Sequence, residues 1–511
     1  MVKSRSQITI ILLFLILSFF QTPGYASSPE DTIDSLLNRY HHYRLFNGVA
    51  LVVRNGELIY EKGFGYADFD HKILNTPDTR FRIASLTKAF TALLIMQLVE
   101  EDKIALDDCI SDYLDYFPES RGDLITIHQL LCHTSGLPDY TTFPGFLRNN
   151  SDRYYSTEEL IKVFADSTLE FVPGTVSRYS NSGYIVLGAI IEKVTGKSYA
   201  DVLKERIFKP LEMNNSGYND LDADIENQAL GYYRGPFKMN PSNPQHISTL
   251  FSAAGVYSTA RDLFKWDRSF YTYRILSKEY KKLLFNPNWN NYAYGWRIRK
   301  VQIGAIPDTI LINVHNGRIF GFTSRIVRIP ADYNTIILLE NLSPGLLTQI
   351  SDKLIAILYD QPFEYPKRSG AEVIAQSMLN DGIEQGLQLY TELYSSSADT
   401  VFFSEFDFNA MGYQLMRINA LDEAIAIFKL NVQTYPKSAN TYDSLGEAYM
   451  LKGDYIRAKK NYEKVFEKLP GDLNINPDFK NGLINNAQQK LSELKRLMDK
   501  RKDSFPSSRV E

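Results

Sequence analysis

The chain reads as an α+β domain followed by an all-α one, and three observations predict this. A helix and a hairpin stand at the start and strand-like runs return some two hundred residues later. Helical spacing fills the interval. Past residue 370 the pattern changes to a repeat with a 34-residue period. A sheet assembled from both ends of a domain and covered by helices satisfies the first two, with antiparallel strands. Stacked helical pairs satisfy the third.

The elements follow in order. Asp31 to Phe46 has helical spacing, with Ile33, Leu36, Leu37 and Tyr40 on one side. Val49–Val53 and Leu58–Phe64 flank Asn55-Gly56, a two-residue hairpin turn. Helical patterns run from Ser85 to about Lys209. Strands are expected at Tyr292–Val301, Thr309–Val314, Ser324–Ile329 and Thr335–Leu339, the last two joined by the turn residues Pro330 to Asn334. Ile350–Tyr359 closes the domain as a helix. Pro362 to Gly370 reads as a linker.

Beyond it Gly412 matches Gly446, Ala424 matches Ala458, Phe428 matches Tyr462 and Pro436 matches Pro470. Tyr442, Leu445 and Tyr449 complete the first helix of the second unit. This resembles the tetratricopeptide repeat, whose helices cross at small residues. Two repeats are clear, Gly382–Ser395 reads as a degenerate earlier one, and Asn476–Lys500 as a capping helix. The domains expected are thus a leader (1–26), the α+β domain (27–362), a linker with the degenerate repeat (363–404), two repeats (405–474), and a cap with a polar tail (475–511).

The leader rests on Lys3 and Arg5 before an apolar run from Ile8 to Phe20, then small residues at Gly24 and Ala26. That is the layout of a secretory signal cut near Ala26. The run is shorter than the ~20 residues of a spanning helix. Export to a periplasm or beyond is therefore expected, without stable membrane insertion. Cys109 and Cys132 are the only cysteines, and an exported pair can oxidise or remain as two thiols. A net charge of −4 over 511 residues offers no basic patch for nucleic acid, so a small molecule or peptide is the expected substrate. The seven histidines are scattered, with no paired-cysteine or His-Glu-x-x-His pattern, so neither metal nor cofactor is expected.

Three short patterns carry the chemistry: Ser85-Leu86-Thr87-Lys88, Tyr179-Ser180-Asn181 and His315-Asn316-Gly317. Ser85 and Lys88 share a face if Ser85 opens a helix, where Ala89, Leu93, Met96 and Val99 give apolar spacing. The helix dipole would favour an oxyanion at that end. The lysine acts as a base only if burial or neighbouring positive charge lowers its pKa by several units. No Gly-x-Ser-x-Gly elbow is present.

In these three patterns the chain resembles the serine β-lactamase and penicillin-binding-protein superfamily, most closely its class C β-lactamase-like branch. The supporting segments are Leu130 to Leu137, Pro173-Gly174, Ala254 to Leu263 and Tyr294-Gly295-Trp296. The resemblance covers roughly residues 30 to 360 and implies a β-lactamase/transpeptidase-like fold. Carried over by position, Ser85 forms an acyl-enzyme, Lys88 and Tyr179 move its proton, and Asn181 bonds the substrate amide or the lysine. The backbone N–H groups of Ser85 and Arg318 form the oxyanion hole, beside Gly317. His315 stands where most penicillin-recognising members have lysine, and Arg318 where the residue is usually small. A protonated His315 is the expected partner of a substrate carboxylate, with KM rising as pH passes its pKa. His133 is expected to be structural. The activity implied is hydrolysis of a D-amino-acid peptide, a small ester or, less favoured, a β-lactam. The alternative is an inactive binding protein that works through its repeats. In either case the concave face of the repeats is the expected surface for a protein partner.

Overall fold

The computed structural model describes residues 28–150, 152–218, 225–235, 237–243, 245–304, 309–396, 400–472 and 476–503. The expected leader, and the tail from residue 504, lie outside these. Its main sheet has seven antiparallel strands: β1 (Gly48–Arg54), β2 (Glu57–Phe64), β3 (Tyr292–Ala293), β4 (Trp296–Gln302), β5 (Thr309–Ile319), β6 (Phe322–Ile329) and β7 (Asn334–Glu340). Their order is β3-β4-β5-β6-β7-β1-β2, so strands from the two ends of the domain meet where β1 pairs with β7. The turn between β1 and β2 places Asn55 and Gly56 at positive φ, as an Asn-Gly hairpin requires.

The helices of ten residues or more in this domain are α1 (Pro29–His42), α2 (Thr87–Glu100), α3 (Asn181–Thr195), α4 (Ala260–Ser269) and α5 (Leu347–Leu358). Ser28 caps α1 by accepting from the Asp31 N–H at 3.1 Å, and Pro29 opens it. The sheet separates two cores by the period-2 rule. Val49, Leu51 and Val53 face the helices around α2, whereas Ala50 and Val52 face α1 and α5. The spacing at Ala89, Leu93, Met96 and Val99 marks only one side of α2. In the fold every residue from Thr87 to Leu98 is buried, so α2 is the central helix of the larger core.

Among the described residues seven further α-helices follow: α6 (Gly370–Asp381), α7 (Ile383–Ser395), α8 (Glu405–Arg417), α9 (Leu421–Thr434), α10 (Ala439–Leu451), α11 (Tyr455–Lys468) and α12 (Pro477–Asp503). The bounds of α10 and α11 are those of α8 and α9 displaced by 34 residues. A Cβ on Gly412 would meet the Phe428 ring at 2.4 Å, so glycine is what lets that helix pair close, and one on Gly446 would meet the Tyr462 ring tightly at 3.3 Å. These helices share a core of their own, against which Phe237 of the α+β domain packs. Arg234 pairs with the buried Glu372 across the same junction at 2.5 Å. Among the described residues no helix is long and apolar enough to cross a membrane. Cys109 and Cys132 are not bonded to each other. Cys132 is buried, which pushes its thiol up to about 12.

Candidate active site

Ser85 sits in a tight turn, Ala84–Leu86, that leads into α2. Ala84 holds a positive φ of 50°, a conformation a side chain resists, and the turn is clamped from both sides. Ile83 N–H bonds the Val256 carbonyl at 3.0 Å, and Ser324 Oγ on β6 donates to the Ile83 carbonyl at 2.6 Å. Gly317 explains how β5 reaches this turn. A Cβ there would lie 2.1 Å from the Ile83 carbonyl oxygen and 2.3 Å from Ser324 Oγ. Gly295 plays the same part at α2, where a Cβ would stand 2.9 Å from the Lys88 carbonyl.

At the second residue of α2, about one turn past Ser85, Lys88 is wholly buried. Its Nζ donates to Asn181 Oδ1 at 2.7 Å, to the Ala253 carbonyl at 2.9 Å and to Ser85 Oγ at 3.3 Å. The rings of Tyr179 and Tyr184 lie 4.8 and 5.6 Å away. All three acceptors are uncharged. Burial therefore dominates and pushes the ammonium down to about 7, with Asp139 at longer range pulling the other way. Asp139 also orients Asn181, accepting from its Nδ2 at 2.9 and 3.2 Å, so the amide oxygen is the end that faces the lysine. Tyr179 is half-buried, and its hydroxyl is near enough to the Ser85 side chain to interact with it. Burial holds its phenol above the usual range, hence protonated.

The fold therefore gathers Ser85, Lys88, Tyr179 and Asn181 in one place. His315, Gly317 and Arg318 line the same cleft, of about 420 Å³. His315 corrects the expectation of an imidazolium. It is buried, with Nδ1 2.9 Å from the Asn316 carbonyl and Nε2 3.2 Å from the Tyr292 hydroxyl, and burial pushes it down to about 3. A neutral ring cannot hold a carboxylate by charge. The positive charge of the cleft comes instead from exposed guanidiniums. Arg297 is close enough to weigh on Tyr179 and His315, and among the described residues it makes no ion pair. Arg318 is exposed at the rim, on the strand face opposite His315.

Sequence reasoning missed Asp139, the Ala253 carbonyl, Tyr292 and Arg297. Arg297 directly follows Tyr294-Gly295-Trp296 and Ala253 directly precedes Ala254-Gly255, so both adjoin segments that were singled out. Asp139 begins a loop without a recognisable pattern. His133 proves to be a wall of the site: its ring packs on Tyr179 at 4.4 Å and on Tyr292 at 4.6 Å. Its Nδ1 accepts from the Ser180 N–H at 3.3 Å.

The description "Beta-lactamase" belongs to the family model that matches residues 33–358. This chain is a member of the β-lactamase family. It is 32% identical over 347 residues to penicillin-binding protein 4* of Bacillus subtilis (strain 168), covering 63% of this chain and 74% of that one. Among solved structures it is similar to a penicillin-binding protein from Bacillus halodurans, with 28% identity, a TM-score of 0.56, and coverage of 64% of this chain and 98% of that one. It is equally similar to the D-amino acid amidase of Ochrobactrum anthropi SV3, with 27% identity, a TM-score of 0.56, and coverage of 64% and 97%. As a β-lactamase-family protein the chain is an enzyme, a serine hydrolase. The match ends before α6, and the C-terminal region is helical.

Proposed function

We propose that this β-lactamase-family protein is an exported hydrolase that forms an acyl-enzyme on Ser85 from an amide or ester. The observation that carries the reading is Lys88: a wholly buried amine, 3.3 Å from Ser85 Oγ, bonded to neutral acceptors and balanced near neutrality. In its neutral form Lys88 takes the Ser85 proton as Oγ adds to the carbonyl carbon. The N–H groups of Ser85 and Arg318 receive the oxyanion. Tyr179, always protonated, passes the proton from the Lys88 ammonium to the departing amine or alkoxide. Water then adds to the ester by the same route in reverse, and Asn181 keeps the lysine aimed.

D-amino-acid amides and peptides are the leading substrates, small esters the next, and β-lactams follow. The D-amino acid amidase relative supports this ranking. The neutral His315 leaves Arg297 as the group to meet a substrate carboxylate. The residues 1–26 act as a signal cut near Ala26, and residues 27–362 form the hydrolase. We assign the helices at 405–474 to two tetratricopeptide repeats, after a linker and a degenerate repeat within 363–404 and before a cap from 475. The 34-residue displacement and the glycine–ring contacts support this assignment. Their concave face would take a protein or peptide.

The test is labelling of the intact chain with a fluorophosphonate or penicillin probe, read by mass. One adduct on the native chain and none on Ser85→Ala is expected. Equal labelling of both removes Ser85 as the nucleophile. Saturable turnover of a D-amino-acid amide then separates an enzyme from an inactive binding protein.

A further inference from the structure

A second cavity of about 330 Å³ lies apart from the catalytic cleft and shares no lining residue with it. Five elements wall it: the start of the helix Thr157–Lys162, α3, the helix Tyr199–Leu203, the short strand Gly217–Tyr218 and the segment Ile247–Phe251. Three of its rings pack on one another. Tyr199 meets Tyr218 edge-on at 5.8 Å and Phe251 at 5.3 Å, and Tyr218 meets Phe251 edge-on at 6.3 Å. Tyr154, 62% exposed, stands at the mouth.

Among the described residues of these walls the only charged group is acidic. Glu192 projects from α3, and among the described residues no lysine, arginine or histidine lines the cavity. Its Oε1 accepts from the Tyr199 N–H at 2.9 Å and its Oε2 from Thr157 Oγ1 at 3.0 Å. A carboxylate has about four lone-pair sites, so each oxygen retains capacity. Burial raises its carboxyl above the usual range, a penalty that a cation beside it would relieve. An acid among ring faces is the environment that attracts an organic cation.

We propose that this cavity is a second small-molecule site for a compact organic ammonium ion, its charge on Glu192 and its apolar body against Tyr199, Tyr218 and Phe251. The volume suits a ligand of one ring or a short alkyl chain. Its far wall reaches the catalytic amine. The Tyr199 hydroxyl bonds Thr91 Oγ1 at 2.6 Å, Thr91 Oγ1 donates to the Ser252 carbonyl at 2.7 Å, and the next carbonyl, Ala253, is a partner of Lys88.

The probe is phenethylammonium, with 2-phenylethanol as its neutral counterpart, titrated calorimetrically into the full chain and into Ser85→Ala. The amine should bind both chains alike with 1:1 saturation, and the alcohol at least about tenfold more weakly. Glu192→Gln, which keeps the shape and removes the charge, should cost the amine about tenfold or more with an unchanged thermal midpoint. No amine binding, equal binding of amine and alcohol, or amine binding indifferent to Glu192→Gln overturns the proposal. If Glu192→Gln lowers the midpoint, Tyr154→Ala at the exposed rim decides: about a threefold loss sustains the site, and unchanged binding overturns it. Amine binding displaced by a fluorophosphonate on Ser85 would place the amine in the catalytic cleft and also overturn it. The site does not depend on Ser85 chemistry, so the labelling experiment can fail while this one succeeds.

Discussion

Lys88 and Asp267 are both wholly buried in the hydrolase domain, and their surroundings are opposite. Asp267, on α4, accepts from Arg268 Nη2 at 2.5 Å and Thr335 Oγ1 at 2.8 Å, and pairs closely with the buried Arg328. Arg328 in turn lies among the rings of Phe270, Phe285 and Tyr271 at 4.7 to 5.2 Å. Lys88 has a hydroxyl, an amide oxygen and a backbone carbonyl for partners, and no carboxylate within bonding distance. A buried charge with its counter-charge fastens a helix to the sheet. A buried amine without one can shed its proton, which is what a base at Ser85 requires.

Removing the amine tests this contrast most strongly. Lys88→Met is expected to lower Ser85 acylation by about 10³- to 10⁴-fold, measured by stopped-flow labelling. The stability effect has a definite sign. In the folded chain Lys88 titrates near 7, and in the unfolded chain at its ordinary 10.5. Between those values the unfolded state binds more protons, so this residue makes stability rise with pH. Urea midpoints across that window should climb for the native chain and lose that part of the slope in Lys88→Met.

At the other centre the effect is on folding. Asp267→Asn leaves Arg328 buried without its counter-charge and should cost about 3–5 kcal/mol in urea unfolding. Replacing both by apolar residues, Asp267→Leu with Arg328→Met, should recover much of that loss. A double variant no better than the single one would mean that the pair itself supplies net stability.

Next in size is the contrast between Arg297 and His315. Arg297→Gln should raise KM for a carboxylate-bearing substrate about tenfold with little change in kcat. In the native chain KM should already be flat across about pH 5 to 8, because the His315 ring is neutral throughout that range, and His315→Gln should leave that profile unchanged. A KM that climbs through the histidine range in the native chain would restore the imidazolium.

How much of this the sequence carried depends on whether the determinant is local. Asn55-Gly56 and the spacing of Ser85 and Lys88 act over a few residues, so their hairpin and shared face could be read directly. Gly317 stood out as part of a pattern, but its reason is the Ile83 carbonyl, which lies 234 residues upstream in the chain. His315 misled because histidine charge depends on burial, and its burial comes from Tyr292 and the walls around it. Asp139 and the Ala253 carbonyl act on Lys88 only after loops from two other regions have folded over α2. Only packing brings them there, and a backbone carbonyl leaves no mark in a sequence.

The smallest effect expected is also the most specific to the amine. Asp139 is the one acid that holds the Lys88 ammonium up against burial. Asp139→Asn removes that charge but retains an amide oxygen that can accept from Asn181, so the lysine keeps its aim. The rising limb of acylation against pH, placed near 7 in the native chain, should then move to lower pH. At a fixed pH below the native limb the fraction of Lys88 that is neutral increases, and acylation there should rise about two- to fivefold. The height of the plateau is free to fall if Asn181 shifts, so the position of the limb is the readout. A limb that stays in place while the plateau drops would mean that Asp139 acts by holding Asn181 and not through its charge. A limb that moves to higher pH would mean that Lys88 is not the group whose proton is lost.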